Sequence, residues 1–317
     1  MLDLNNRQGG PNLIVTAKTA HKVHFLDAAT LTMAATIDMP GSTHELALSL
    51  DGRTAYGTVY GDGVFAKRVN PDRRIVVIDL ASKSLVRIID LGAVCAPHGV
   101  MMDASGMLWS SAELGNAVLV IDPATDHVAP IDVGSTAHWL AISHVTGKVF
   151  VSVKQDYVVV VDTERRRVID RIKVPHVIEG LAIAPDGDAL YCCAQGAAEL
   201  YVIDAATHAL HRTVAIEGAD GSKRQMRRVR VSPDNRYVVV SSNQDAKAAI
   251  FLADGLKLIA SFPTKKSPMG FGFAAGGKHA YLCCHDDAEV FEFELASGRV
   301  TRTFPTAAGC EFIIAYH

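Results

Sequence analysis

The sequence predicts an all-β protein, a seven-bladed β-propeller closed by N-terminal strands that pair with a C-terminal inner strand. One unit recurs seven times, at intervals of roughly 40 to 54 residues. Each unit divides into four short segments rich in Val, Ile, Leu and Ala, as strands are, and no segment shows convincing helical periodicity over eleven residues. Four antiparallel strands per repeat without a helix are typical of a propeller blade. We therefore expect residues 1–317 to form a single propeller domain.

The two ends of the chain supply complementary parts of one blade. The first segments, NLIVTAK, VHFLDAAT and MAATIDM, are three strands that lack an inner strand. The last segment, CEFIIAY, is an inner strand that lacks the other three. Pairing them closes the ring and removes exposed sheet edges, so the count is seven blades.

Six complete units lie between these ends. Their inner strands begin, in chain order, with HELALSLDG, HGVMMDASG, HWLAISHVTG, EGLAIAPDG, RRVRVSPDN and MGFGFAAGG. An aspartate opens a tight turn between the outer strands of several units, because its side chain can bond the backbone two or three residues on. We predict such turns at Asp27, Asp122, Asp162 and Asp204.

Several stretches resemble known propeller families. LIVTAK, VFVSVK and LYVIDAAT are similar to the YVTN-type repeats of YncE-like bacterial proteins, and PHGVMMDASGMLWSSAELGNAVLVIDPAT resembles a blade of virginiamycin B lyase-like proteins. The resemblance covers essentially the whole chain and implies the propeller fold. Blades of this type serve binding, scaffolding and several chemistries. The metal ligands of the lyase do not map onto these positions, so none is carried across.

Composition excludes several classes of function. A net charge of −3, with both signs mixed along the chain, does not fit a nucleic-acid-binding surface. The apolar runs are strand-length, too short to span a bilayer, and the start MLDLNNRQGG does not read as a secretory signal. Adjacent cysteines in strands, Cys192–Cys193 and Cys283–Cys284, point to opposite faces and favour free thiols over disulfides. We therefore expect a cytoplasmic protein.

One register at the start of the inner strands carries chemistry. Imidazoles at three successive positions and a carboxylate at the fourth are ligands that a borderline divalent metal prefers. We predict one transition metal (Zn, Mn, Fe or Ni) held by His44, His98, His138 and Glu179. Two alternatives remain open: polar residues that hold channel water, and a metal-free anion site at Arg227. The seven register positions are His44, His98, His138, Glu179, Arg227, Met269 and Cys310.

The residues after the ring positions and at the channel mouth suggest supporting roles. Glu45 and Glu311 follow ring positions and either orient histidines or form salt bridges. Loops between second and third strands open at the same end of the channel and bring catalytic candidates there. Arg227 would clamp a carboxylate, and Lys18, Lys154 or Glu113 would move a proton. The matched loop positions are Lys18, Tyr60, Glu113, Lys154, Gln195, Gln244 and Asp286.

Two insertions predict a lid over this mouth. They cover residues 60–74 and 217–226, where other units have short turns. The first contributes cations that would attract an anionic substrate: Lys67, Arg68, Arg73 and Arg74.

Together these features predict a metal-dependent lyase or hydrolase acting on a small, polar, carboxylate-bearing metabolite. The expected partner is this anionic small molecule, with no nucleic acid and no membrane. One alternative is an Fe(II)-dependent oxygenase with a centre of three histidines and one glutamate. The other is a non-catalytic propeller that binds a ligand or a protein on the same face.

Overall fold

The computed structural model describes residues 12–62, 70–93, 96–216 and 226–316. Every regular element in these ranges is a β-strand, β1 to β28. The strands form seven four-stranded sheets, which confirms the predicted seven-bladed propeller. Over the same ranges, no helix is long and apolar enough to cross a membrane.

Six sheets are built from four consecutive strands, each running from the inner strand to the outermost. Blades 1 and 2 comprise β4 (Thr43–Leu48), β5 (Thr54–Gly61), β6 (Pro71–Asp79), β7 (Ser84–Asp90), β8 (Pro97–Met102), β9 (Leu108–Ala112), β10 (Ala117–Asp122) and β11 (His127–Asp132). Blades 3 and 4 comprise β12 (Ala137–Ser143), β13 (Lys148–Val153), β14 (Tyr157–Asp162), β15 (Arg167–Lys173), β16 (Ile178–Ile183), β17 (Ala189–Ala194), β18 (Glu199–Asp204) and β19 (Leu210–Ala215). Blades 5 and 6 comprise β20 (Arg228–Val231), β21 (Tyr237–Ser242), β22 (Lys247–Leu252), β23 (Leu258–Pro263), β24 (Pro268–Phe273), β25 (His279–Cys284), β26 (Glu289–Glu294) and β27 (Val300–Pro305).

The seventh blade joins the two ends of the described chain. Its order is β28-β1-β2-β3, with β28 as the inner strand. Asn12 lies opposite Tyr316 and Val15 lies opposite Ile313 in the antiparallel pair of β1 and β28. This confirms the predicted closure. The four strands are β28 (Cys310–Tyr316), β1 (Asn12–Ala17), β2 (Lys22–Asp27) and β3 (Met33–Asp38).

Burial explains why the strands are so rich in Val, Ile and Leu. The sheets pack face to face around the ring, and each of the seven apolar clusters joins two neighbouring blades. The third strand of blade 3, Tyr157–Asp162, is therefore buried on both faces between its ends, whereas the outer strand beside it is largely exposed. Strands buried on both faces need near-continuous runs of branched apolar residues.

The predicted aspartate turns form between the outer strands. In blade 7, the Asp27 carboxylate accepts hydrogen bonds from the backbone N–H groups of Ala29 and Thr30 at 2.9 and 2.8 Å. Asp204 of blade 4 makes the same pair of contacts with Ala206 and Thr207. These side chains replace backbone partners in a tight turn, as the sequence motif predicts.

An extra residue near the start of the inner strand interrupts the pairing in six blades, all except blade 5. In blade 1, for example, the register shifts between Thr43 and Leu46. We call this end of the central channel, where the inner strands begin, the upper end, and the opposite end the lower end. Because a bulge re-aims side chains, this repeated irregularity places polar residues at the upper end of an otherwise apolar ring.

Neighbouring inner strands approach closely just below these bulges, and glycine permits it. A Cβ atom on Gly180 would lie 2.4 Å from the Arg227 carbonyl oxygen, and one on Gly270 would lie 2.5 Å from that of Glu311. Any larger residue would push adjacent blades apart. These glycines therefore set the diameter of the ring at the level of the candidate site.

Candidate metal centre and substrate cavity

A polar cavity of about 600 Å³ occupies the upper end of the channel. One side chain from the beginning of each inner strand reaches this cavity, as the repeat register predicts. The seven residues are His44, His98, His138, Glu179, Arg227, Met269 and Glu311.

The seventh position differs from the predicted one, because Glu311 and not Cys310 lines the cavity. Cys310 pairs with Ala17 in the way that Thr43 pairs with Val59, so it precedes the ring position. Its thiol is buried in the apolar cluster between blades 6 and 7. The same one-residue offset applies to two predicted mouth positions: Asn243 and His285 take the places assigned to Gln244 and Asp286, although Asp286 also lines the cavity.

The three histidines form a continuous row, which we call the histidine row. The ring centres of His44 and His98 are 4.3 Å apart, and those of His98 and His138 are 4.2 Å apart. All three side chains are buried. The corrected register adds Glu311 beside His44, so a carboxylate lies at each end of the row, with the predicted Glu179 beside His138.

Two carboxylates hold His138 from opposite sides. Its Nδ1 lies 2.5 Å from Glu113 Oε1, and the other oxygen of Glu113 accepts a 2.8 Å hydrogen bond from the Tyr60 hydroxyl. Its Nε2 lies 3.4 Å from Glu179 Oε1. Glu113 is buried and does not line the cavity, so it orients His138 from behind. This placement differs from its predicted role as a proton carrier at the mouth.

The neighbours of Glu179 hold its carboxylate in the charged form. Burial favours its neutral form, but the hydrogen bond with His138 and the charges of His138, Lys154 and Arg227 outweigh burial, so its pKa lies well below the usual range. Lys154 Nζ donates to Glu179 Oε2 at 3.1 Å, and Arg227 Nε lies 3.6 Å from Oε1. Glu179 is therefore an anion at any physiological pH, as a metal ligand must be.

At the other end of the row, His44 also lies between two carboxylates. Its Nδ1 is 3.4 Å from Glu45 Oε1 and its Nε2 is 3.4 Å from Glu311 Oε1. Glu311 accepts a 3.2 Å hydrogen bond from Arg228, and its second oxygen lies 3.6 Å from His285 Nε2. Thus both Glu45 and Glu311 adjoin a histidine, as predicted. Burial raises the pKa of Glu45 to about 8.

His98, in the centre of the row, has a buried Nδ1 atom without a hydrogen-bond partner. Burial lowers its pKa well below the ordinary histidine value, and neighbouring His138 and His44 add to the effect. The imidazole is therefore neutral and able to bind a metal. Its ligand atom lies within 4.8 Å of those of Glu113 and His138, a buried group that could hold a metal ion. This group contains His98 and His138 but neither His44 nor Glu179, and its nitrogen and oxygen donors suit a divalent transition metal.

The predicted cationic residues lie around the cavity. Lys18, Lys154 and Arg227 all line it. Lys18 is buried with its ammonium 4.8 Å from the centre of the Tyr60 ring, and burial lowers its pKa. Arg227 is the most open of the three, with 39% of its side chain exposed.

The predicted lid lies mostly outside the described residues, including Lys67 and Arg68 and nearly all of 217–226. The two described arginines of the first insertion do not face the cavity. Arg73 pairs with Asp90, and Arg74 pairs with Asp72 and the Pro40 carbonyl. Neither guanidinium therefore lines the cavity, and the attraction of an anionic substrate by this insertion stays a prediction.

The cavity ends below the row in a stack of charged and aromatic groups. Two guanidinium groups contact the Trp139 ring, with the Cζ atom of Arg228 at 4.2 Å and that of Arg230 at 5.3 Å from its centre. Such contacts are favourable when they are shielded from water. Arg228 lines the upper cavity, whereas Trp139 and Arg230 line a second cavity below.

The sequence placed Asp286 at the mouth, with His285 beside it, but assigned no role to this histidine–aspartate pair on the cavity wall. His285 Nδ1 lies 2.8 Å from Asp286 Oδ1, and its Nε2 faces Glu311. The aspartate orients the ring and leaves the other nitrogen toward the cavity, an arrangement suited to accepting a proton. His285 and Asp286 are adjacent in the sequence. The one-residue offset in blade 6 concealed which of them occupies the loop position equivalent to that of Lys18.

Comparisons with known proteins support the fold more than the function. No family model matches the chain. One curated relative, Antigen Lp49 of Leptospira interrogans, is 26% identical over 270 residues, and these cover 77% of this chain but 55% of the antigen. The chain therefore spans about half the length of that relative.

Two solved structures superpose well on the propeller. The periplasmic gluconolactonase of Pseudomonas aeruginosa gives a TM-score of 0.80 at 17% identity, covering 97% of this chain and 99% of its own. The hydrazine synthase of Kuenenia stuttgartiensis gives 0.73 at 16% identity, covering 93% and 92%. At these identities the likeness concerns the fold.

Proposed function

We propose that this protein is a metal-dependent hydrolase that opens a small, polar ester, such as the lactone of a sugar acid, in the upper cavity. The observation that carries the proposal is the histidine row, buried at the base of a polar cavity with a carboxylate at each end and exposed Arg227 across from it. A substrate could reach the imidazoles of the row and a cation together. Sites that combine the two suit reactions in which negative charge develops on oxygen.

The proposed ligands are those predicted from sequence, His44, His98, His138 and Glu179. In a tetrahedral site with bonds of about 2.1 Å, two ligand atoms lie about 3.4 Å apart. The separation between His138 Nε2 and Glu179 Oε1, 3.4 Å, matches that value. Glu113 is too close to His138 to share a metal with its Nδ1, and a carboxylate behind a ligating histidine normally orients it.

Two glutamate variants distinguish these roles. Glu113→Gln should weaken metal affinity about 10- to 100-fold, as loss of an orienting partner does. Glu179→Gln should weaken it further, because a ligand is removed. Titration with a metal buffer measures both. Equal metal affinity in Glu179→Gln and the wild type, with severe loss in Glu113→Gln, would transfer the ligand role to Glu113.

The chain's own residues account for binding and proton transfer. When bound, the metal would polarise the ester carbonyl. Arg227 holds a carboxylate or developing oxyanion of the substrate, and Lys154 keeps Glu179 ionised. His285, oriented by Asp286, accepts a proton from the attacking water and returns it to the oxygen that leaves as the ester bond breaks. Gln195 and Asn243 on the wall supply neutral hydrogen bonds that suit hydroxyl groups.

Two features support this substrate class. The cavity wall carries charged and amide side chains, which favour a hydrated metabolite over a lipid. One of the structural neighbours is named a gluconolactonase, so the same fold accommodates a sugar lactone in that protein.

The five buried, unpaired cysteines of the described chain support our prediction of a cytoplasmic location.

The test is acid release from a panel of aldonolactones, followed by pH-stat and corrected for spontaneous opening. We expect hydrolysis by metal-loaded protein, loss after chelation and recovery with one divalent metal. Arg227→Ala should raise KM more than it lowers kcat. His285→Ala should lower kcat about 10²- to 10⁴-fold at unchanged metal content. His127→Ala, at an exposed position remote from the cavity, is the matched control.

A product analogue provides a second measurement. Gluconate at about one hundred times its dissociation constant should stabilise metal-loaded protein by about 2.7 kcal/mol, and by less in Arg227→Ala. If the metal-loaded protein neither opens any lactone of the panel nor gains stability from any sugar acid, the proposed reaction is wrong.

A further inference from the structure

A second cavity, of about 500 Å³, occupies the lower end of the channel. Inner strands from all seven blades line it, but its lining is mainly apolar, whereas that of the upper cavity is mainly polar. Leu48, Met101, Ile183, Phe273 and Ile314 are among its mainly aliphatic and aromatic walls. Its size falls in the range of small-molecule sites, roughly 300 to 1,000 Å³.

The inner end of this cavity carries a single cation among its lining residues. Arg230 lies against two aromatic rings, with its Cζ 5.3 Å from the centre of Trp139 and 6.0 Å from that of Phe312. One quarter of its side chain is exposed. The nearest carboxylate, Glu45, is 3.8 Å away, beyond hydrogen-bond distance. Arg230 can therefore receive a further anionic group.

A second donor adjoins Arg230. The indole Nε1 of Trp139 is buried without a hydrogen-bond partner, although Trp139 lines the same cavity. A buried donor left without an acceptor costs free energy, about 1 to 3 kcal/mol. A carboxylate placed at the inner end would offer one oxygen to the guanidinium and one to the indole.

The outer rim of the cavity is apolar. Leu50 lines it with half of its surface exposed, and Pro233 lies on the same rim. Val145, next to rim residue His144, is two-thirds exposed. From the inner end to the rim, the cavity thus passes from a cation to hydrocarbon, which is the polarity of an amphiphile with its head inward.

We propose that the lower cavity binds a single-chain amphiphilic carboxylate, such as a medium-chain fatty acid, with its head at Arg230 and its chain along the apolar wall toward Leu50. A sugar acid would leave the apolar walls uncovered, and a neutral hydrocarbon would leave the guanidinium without an added partner. This site is separate from the proposed metal centre, because the Arg228–Trp139–Arg230 stack lies between the two cavities.

Calorimetric titration with decanoate tests the proposal, and it does not depend on enzyme activity. We expect one binding site, an affinity that rises about fourfold for each methylene between hexanoate and decanoate, and weaker binding of the neutral probe decanol. Arg230→Met should weaken decanoate binding about tenfold or more and leave decanol binding unchanged. Arg165→Met, at an exposed position in an outer turn, should change neither.

A steric variant keeps the proposal testable if loss of Arg230 prevents folding. Leu48 is half-buried on the cavity wall, so Leu48→Trp should narrow the cavity and weaken binding of both probes while the melting temperature is retained. Unchanged decanoate affinity in Leu48→Trp would overturn the proposal, as would equal affinity for decanoate and decanol in the wild type. Loss of binding in Arg227→Ala would place the ligand in the upper cavity instead and would also overturn it.

Discussion

The two ends of the central channel are built from the same seven strands, yet they carry opposite chemistry. The ring positions at the upper end present three histidines, two carboxylates, an arginine and a methionine, whereas the lower end presents mainly aliphatic and aromatic walls around one guanidinium. The strands differ along their length in one respect. In six of the seven strands, all except that of blade 5, the upper end contains the extra residue that interrupts pairing, and the lower ends pair regularly.

This difference shows how a propeller separates function from stability. At a bulge, a side chain leaves the alternation that buries its neighbours between blades, so a polar residue there does not disrupt an apolar cluster. Below the bulge the alternation is intact, and the positions serve packing between blades as well as the channel wall. The upper end can therefore vary in chemistry at little cost to the fold, while the lower end cannot.

The largest effect should come from removing the element that both ends share. Deletion of residues 310–317 strips the inner strand of blade 7, including Glu311 from the upper cavity and Ile314 from the lower one. It also exposes an edge of apolar backbone, so we expect loss of cooperative thermal unfolding and aggregation. Calorimetry measures the transition. The conservative variant Ile314→Val should keep it, and an unchanged melting temperature after the deletion would contradict the observed closure.

The next effect should be confined to the upper end. His98→Ala removes the central imidazole of the row, and we expect metal affinity to fall by more than the roughly 100-fold loss of an orienting partner. Elemental analysis of protein purified without chelator measures it. Leu48→Ala, at the lower end, should retain full metal content, because the stack around Trp139 separates it from the row. Equal metal content in His98→Ala and the wild type would contradict the assignment of His98 as a metal ligand.

A third, intermediate effect tests the close approach of strands beneath the row. Gly180→Ala would place a Cβ 2.4 Å from a backbone oxygen, and the resulting displacement should destabilise the fold by about 1 to 3 kcal/mol. Gly99→Ala occupies the matched position in blade 2, where the nearest atom would be 3.4 Å away. It should change stability by less than about 0.5 kcal/mol. The midpoints of urea unfolding compare the two variants. Equal destabilisation by Gly180→Ala and Gly99→Ala would show that the glycine at position 180 does not set the diameter of the ring.

The fold was predictable because repeats multiply weak signals. A single unit such as ELYVID and its neighbours suggests strands, but seven units in register indicate blades and the two incomplete ends indicate closure. The row His44, His98 and His138 was predictable for the same reason, since each histidine opens its inner strand.

What could not be predicted depends on offsets of one residue and on side-chain direction. The closing strand begins one pairing position earlier than its spacing suggests, so Cys310 took the place of Glu311 in the predicted ring. Glu113 does occupy its predicted loop register. However, its carboxylate contacts Tyr60 and His138 and does not line the cavity, so its role in proton transfer stays a prediction. Both features depend on contacts between blades, which the spacing of repeats does not reveal.

The last predicted effect depends on pH and concerns a carboxylate in a turn at the lower end. Asp103 is buried and accepts hydrogen bonds from Trp109 Nε1 at 2.7 Å and from the Ser105 hydroxyl at 2.6 Å. Burial favours its neutral form, but these bonds and the one from Met107 outweigh burial and hold its pKa below the ordinary value. A depressed pKa stabilises the fold above the unfolded-state value, and this stability is lost as the pH falls through the folded-state pKa.

We therefore expect Asp103→Asn to lower stability by about 1 to 3 kcal/mol at pH 7, since hydrogen bonds to a charged acceptor are lost. The deficit should shrink as the pH falls below about 4, where the wild-type carboxyl also becomes protonated. Asp51→Asn changes the corresponding turn of blade 1, whose carboxylate is exposed, and should show a smaller deficit. Urea unfolding at several pH values measures both. If the loss of stability in Asp103→Asn stays constant down to pH 2, it comes from altered packing around Trp109 and not from loss of the charge.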